Sequence, residues 1–148
     1  MAANRERAFA ELLDYLFQEV HPPGRGPYTY AEVAHGIRNT AGVTISPSAI
    51  QQLRTGTKAN PKLQTIRALA GFFGVPAGYF FDEGVAERTR AEIQLVAAMR
   101  DQKVRRVALR ANGLSPSSLQ MLSTVIEQAR RLEGLPGDEP DAALLDDE

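Results

Sequence analysis

Between Ser46 and Gly56 the chain reads SPSAIQQLRTG, and the chemistry of this run lies in its amides and hydroxyls. Gln51 and Gln52 each carry a primary amide, which donates and accepts at once and so matches the donor and acceptor of an adenine edge. Ser48 adds a short hydroxyl and Pro47 a rigid apolar surface. Thr55, Thr57, Lys58 and Asn60 follow, with Arg54 flanking them; cations, hydroxyls and amides of this kind hold phosphate oxygens without reading sequence. Upstream, Thr29 and Tyr30 stand where a helix starts and free backbone amides attract a phosphate. No catalytic constellation competes with this reading: the chain has no cysteine, no Ser-His-Asp order and no glycine-rich phosphate loop. Asp82 and Glu83 adjoin at a helix end instead of facing each other across a cleft. His21 and His35 lack companions at ligand spacing, so neither a metal nor a cofactor is expected.

These side chains act together only if a helix holds them outward. Ser46 supplies an N-cap and Pro47 a first position where a missing amide costs nothing, while Ile50 and Leu53 point inward and Gly56 closes the helix. The preceding helix has Thr29 as cap, Glu32 completing a capping box, and Tyr30, Val33, Ala34 and Ile37 as its buried stripe, ending between Asn39 and Gly42. The first helix of the chain carries Phe9, Leu12, Leu13, Leu16, Phe17 and Val20 at helical spacing, and HPPGRGP stops it. Asn60 and Pro61 repeat the start signal for a helix with Leu63, Ile66, Leu69, Ala70 and Phe73 on one face, ended by Gly74. Pro76 to Phe81 reads as one helical turn bringing Tyr79 and Phe80 to the core. A long charged helix follows, with Ile93, Val96, Met99, Val104 and Val107 apolar, a bend near Asp101, and Asn112–Gly113 as its end. Ser115 and Pro116 open a last helix striped by Leu119, Leu122, Ile126, Ala129 and Leu132.

At 148 residues, 43% hydrophobic and 24% charged, the chain is sized and composed like a folded globular protein. The absence of cysteine suits a reducing compartment, and MAANRERAFAELL lacks the apolar core of a signal peptide, so a cytoplasmic protein with no membrane span is expected. The net charge of −1 hides a segregation. Residues 1–84 hold eight Lys/Arg against seven Asp/Glu, residues 85–133 nine against five, and residues 134–148 none against six. Within the first stretch, Gly24 to Arg67 holds six cations against Glu32 alone, a local +5 suited to a phosphate backbone. The expected organisation is all-α: a five-helix domain at 1–84, a two-helix segment at 85–133 and an acidic, disordered tail at 134–148. Two amphipathic helices cannot bury both apolar faces by themselves, so the second segment needs a partner surface.

Ala34, Ile50, Leu53, Gly56, the Asn60–Pro61 step and LAGFFGV together resemble the Cro/phage-repressor, or Xre-type, helix-turn-helix family over roughly Thr29 to Glu83. HPPGRGP, the lengthened turn NTAGVTIS, the helix ending LRTG and the segment MRDQKVRRVALRANGL are similar, over nearly the whole chain, to EspR-type mycobacterial regulators. The resemblance implies a regulator of double-stranded DNA, associated in some cases with the nucleoid. Carried over by position, it puts base reading on Pro47, Ser48, Gln51 and Gln52 and phosphate contact on Tyr30, Thr55 and Lys58. It also implies a homodimer paired through the last helices. The turn before Ser46 is longer than the repressor family's tight turn, which leaves the angle between the two helices open.

Plainer readings stand beside these. SPSAIQQLRTG also fits a polar surface helix of an all-α protein, and Arg25 either a solvated loop residue or an arm reaching into a groove. Arg100, Lys103, Arg106 and Arg110 share a helical face that serves a second DNA contact, the acidic tail or plain solvation. Leu119, Leu122, Ile126 and Ala129 make either an internal core or a dimer seam. The competing class of function is an adaptor that keeps the fold and binds another regulator, a sigma factor or a toxin.

Overall fold

The computed structural model describes residues 2–58 and 60–136. Among them are seven α-helices and no strand: α1 (Ala2–Glu19), α2 (Tyr30–Ala41), α3 (Pro47–Thr55), α4 (Leu63–Phe73), α5 (Glu83–Ala98), α6 (Gln102–Ala111) and α7 (Pro116–Leu132). A 3-10 turn at Ala77–Phe80 links α4 to α5. The all-α class is therefore observed, and the arrangement differs from the expected one in its second part, where three α-helices stand in place of two. Up to Phe80 there are four α-helices and the 3-10 turn, and three α-helices follow. The long charged helix does not merely bend at Asp101; it breaks. Asp101 adopts an extended conformation and its carboxylate accepts from the amides of Lys103 (2.8 Å) and Val104 (3.3 Å), which starts α6 afresh. The tail read from Gly134 onward lies, past Pro136, outside the described residues.

The chain forms two compact units, one up to Leu95 and one from Val96. In the first, Leu13, Leu16 and Phe17 of α1 meet Val33 and Ile37 of α2, Ile50 and Leu53 of α3, and Ala68, Leu69 and Phe73 of α4 in one core. Tyr79, fully buried, enters from the 3-10 turn and donates its hydroxyl to the Leu12 carbonyl at 2.7 Å. Burial pushes the Tyr79 phenol up to about 12, so it remains a neutral donor. Ala86, in the first turns of α5, closes the same core.

The caps follow the residue types closely. Thr29 and Glu32 form the capping box of α2, and Ser46 and Ser115 cap α3 and α7 with their hydroxyls. At the start of α4 the sequence reading is corrected. Asn60 is not the cap; Lys62 holds that place, extended and without a side-chain cap bond, and the helix begins at Leu63. Helix α4 thus starts two residues beyond its proline, whereas α3 and α7 start at Pro47 and Pro116 themselves.

Candidate nucleic-acid interface

Helix α3 buries two apolar residues in the core and turns a polar face outward. Ile50 and Leu53 are buried in the core, whereas Pro47, Ser48, Gln51 and Gln52 are all exposed. The helix ends at Gly56, whose φ of 82° lies in the left-handed region that a side chain resists. A tight corner follows. The amide of Lys58 donates back to the Gln52 carbonyl at 3.1 Å, the Thr55 hydroxyl donates to the same carbonyl at 3.3 Å, and Thr55 and Thr57 share a hydroxyl contact of 3.0 Å. Thr55, Thr57 and Lys58 are exposed there, and Asn60 is exposed on the strand-like run leading to α4.

Arg54 occupies a different place from its neighbours. Its Nε donates to the Asp14 carboxylate at 2.8 Å, its Nη1 donates to the Tyr30 hydroxyl at 3.3 Å, and its guanidinium lies 4.7 Å above the Phe17 ring. The side chain is only 23% exposed. It ties α3 to α1 and α2 and so sets how the exposed face of α3 is presented. Tyr30 packs its ring on Phe17 at 5.4 Å and accepts from Arg54, which keeps its hydroxyl proton available to another acceptor.

Thr29 is engaged within its cap: its hydroxyl accepts from the Glu32 amide at 3.1 Å, and its own amide donates to the Glu32 carboxylate at 3.0 Å. Arg25 completes this corner. Two of its nitrogens donate to the two Glu32 oxygens, both at 2.7 Å, and its guanidinium stacks 5.3 Å from the Tyr28 ring. It is thus an exposed loop residue tied to Glu32, not a free arm. Beside this guanidinium and the Thr29 amide, the Glu32 carboxyl is held at about 2. The pairing neutralises the one carboxylate in the basic stretch, and the Thr29 hydroxyl proton can still be donated outward.

The lengthened turn between α2 and α3 is packed down. Gly42 ends α2 with a φ of 66°, and Val43 and Ile45 then lie half-buried against the core. Two anchors hold the α2–α3 pair that no local motif announces. One is Asp14. The other is Gly36, where any Cβ would run into the Phe72 ring, itself wedged 5.1 Å from both Tyr28 and Phe73.

Over 127 residues the chain is 43% identical to the nucleoid-associated protein EspR of Mycobacterium tuberculosis, equally in two strains, a match covering 86% of this chain and 96% of the relative. The chain belongs to the EspR family. No protein-family model matches this EspR-family chain, so its likeness to Cro and phage repressors rests on the motifs themselves. The relatives are named for association with the nucleoid. Among the described residues of this EspR-family protein, no helix is long and apolar enough to cross a membrane.

In the second unit, no residue of α6 or α7 is buried. Leu119, Leu122 and Ile126 stand 40%, 37% and 48% exposed, and Ala129 is exposed beside them. Met121, Val125 and Leu132 extend the apolar surface along the neighbouring side of α7 and are more open still.

Proposed function

We propose that the protein is a non-enzymatic, nucleoid-associated regulator that reads double-stranded DNA as a homodimer, placing α3 in the major groove. The observation that carries this is the split of α3 into a buried anchor, Ile50 and Leu53, and an exposed face of Pro47, Ser48, Gln51 and Gln52. A helix so mounted presents short polar side chains at its N-terminal end, where base edges are met. Membership in a family whose members are named for the nucleoid supports the same reading.

Gln51 and Gln52 read bases, with Ser48 and Pro47 fitting the groove around them. Thr55, Thr57, Lys58 and Asn60 hold phosphates on one side, and the hydroxyls of Thr29 and Tyr30 donate on the other. Arg54 acts through Asp14 and Tyr30 as a positioning residue. Residues 1–84 carry the recognition. The segment 85–133 pairs the subunits through Leu119, Leu122, Ile126 and Ala129, and the acidic tail from residue 134 keeps non-specific binding low.

Fluorescence anisotropy with labelled duplexes tests the assignment. Lys58→Ala should weaken binding to every sequence alike and make the slope of log affinity against log salt shallower by about 0.9. Gln52→Ala should relax preference at one base pair, with about 1 to 3 kcal/mol of discrimination lost. If both variants bind as the parent does, α3 is not the reading element.

A further inference from the structure

Helix α6 carries cations that the structure leaves uncommitted. Lys103, Arg106 and Arg110 are exposed, and among the described residues none of the three forms an ion pair. Their near neighbours behave differently. Arg105 turns back to donate to the Met99 carbonyl at 2.9 Å, which fastens the break between α5 and α6. The carboxylate nearest in sequence is also engaged: Asp101 caps α6. Residues 96–136 hold seven Lys/Arg against three Asp/Glu.

At about 3.6 residues per turn, Lys103, Arg106 and Arg110 fall within roughly 60° of arc. Val104, Val107, Ala108 and Ala111 occupy a separate arc. Lys103 and Arg110 are seven residues apart, or about 10 Å along the axis. A DNA strand carries one charge per about 3.4 Å of its axis, so the row spans about three phosphates.

We infer that α6 is a second DNA contact, a phosphate-binding strip made by Lys103, Arg106 and Arg110. This rests on the DNA-binding reading above and extends it to a helix that reads no bases. An anionic membrane is the other surface such a helix could meet. Interfacial helices bury Trp, Phe or Leu along one face, whereas no aromatic residue follows Phe81, the apolar arc of α6 offers only valine and alanine, and its one leucine, the exposed Leu109, falls about 100° outside that arc, between Arg105 and Arg106.

The test is a full-length triple variant, Lys103→Gln, Arg106→Gln and Arg110→Gln, compared with the parent and Lys58→Ala on a duplex of arbitrary sequence across a salt series. Glutamine keeps the helix propensity of these exposed positions, and circular dichroism and light scattering confirm an unchanged fold and mass. The expected result is a salt slope shallower by about 2 to 3, since each lost phosphate contact removes about 0.9. A charge-keeping variant, Lys103→Arg with Arg106→Lys and Arg110→Lys, should retain the parent slope. If the triple variant keeps the parent slope, or binds more tightly, while Lys58→Ala weakens binding, the α6 assignment is overturned and that of α3 stands. Loss of retention on phosphatidylserine vesicles with the DNA slope unchanged would likewise overturn it, in favour of a membrane. A parent with no salt-dependent DNA binding removes both assignments.

Discussion

Arg54 and Lys58 are both cations close to the end of α3, and their surroundings give them different tasks. Lys58 is exposed on a corner whose backbone is tied down by its own amide, so its charge is free for a phosphate. Arg54 spends its guanidinium on Asp14, Tyr30 and the face of Phe17. Arg54→Met should lower stability by about 1 kcal/mol, the sum expected of a partly exposed ion pair and a cation–π contact. DNA affinity should fall with it while the salt slope stays at the parent value, because no phosphate contact is lost. Denaturant unfolding and anisotropy on the same variant check this; a slope shallower by about 0.9 would make Arg54 a phosphate ligand after all. The pairing of Arg25 with Glu32 gives a second test. With its folded value depressed to about 2 against 4.5 for an ordinary glutamate, the carboxyl stabilises the α2 corner fully above about 4.5. That contribution fades as pH falls through about 2. A carboxyl carbon titration of Glu32 followed by NMR should show the low midpoint, and a midpoint near 4.5 would mean the pair is not formed.

At the scale of elements, the way α3 is presented depends on how α2 and α3 are joined. In the repressor-like families a tight turn does this, whereas here a longer segment runs from Gly42 to Ser46 and is secured by Val43 and Ile45. The position of α2 is fixed from its other side by close approach to α4. At Gly36 the absent side chain leaves room for the Phe72 ring, which cannot swing away because Tyr28 and Phe73 hold its edges. Gly36→Ala should therefore cost about 1 to 3 kcal/mol through overpacking, despite alanine's better helix propensity. Thermal unfolding measures it. A neutral or stabilised variant would show that α2 and α4 part easily.

At the scale of the whole molecule, the two units differ in how they bury apolar surface. The first surrounds a core of fully buried side chains; the second has no buried residue in α6 or α7 and exposes Leu119, Leu122, Val125 and Ile126 in a continuous row. An uncovered stripe of this length on a helix of 17 residues suits pairing with a second copy through a seam with its own two-fold symmetry. Leu122→Asp should give a monomer by light scattering while the first unit keeps its unfolding transition. DNA binding at half-sites should then weaken, since each helix would bind alone. A variant that retains dimer mass would move the seam away from this face.

Much of this was written locally. The helices, the caps at Thr29, Ser46 and Ser115, the left-handed glycines 42, 56 and 74, and the division of α3 into Ile50 and Leu53 against Gln51 and Gln52 all follow from spacing and residue type within one or two turns. Capping, propensity and helical periodicity are short-range effects, so a short stretch of sequence contains their causes. Tertiary structure decided what local spacing leaves open. Arg54 became a positioning residue because Asp14, forty residues earlier, is brought beside it. Arg25 became part of the α2 cap because the HPPGRGP loop folds back on Glu32, and Gly36 became a packing site because Phe72 arrives from another helix. The start of α4 moved to Leu63, and the charged helix broke at Asp101 instead of bending. In the contacts of Arg54 and Gly36 the partner is chosen by the approach of a distant backbone, and that choice depends on the packing of the whole core. Helix α3 was thus legible as a helix with a buried apolar side and an exposed polar one, while the contacts that hold it were set only when α1 and α2 closed around Arg54.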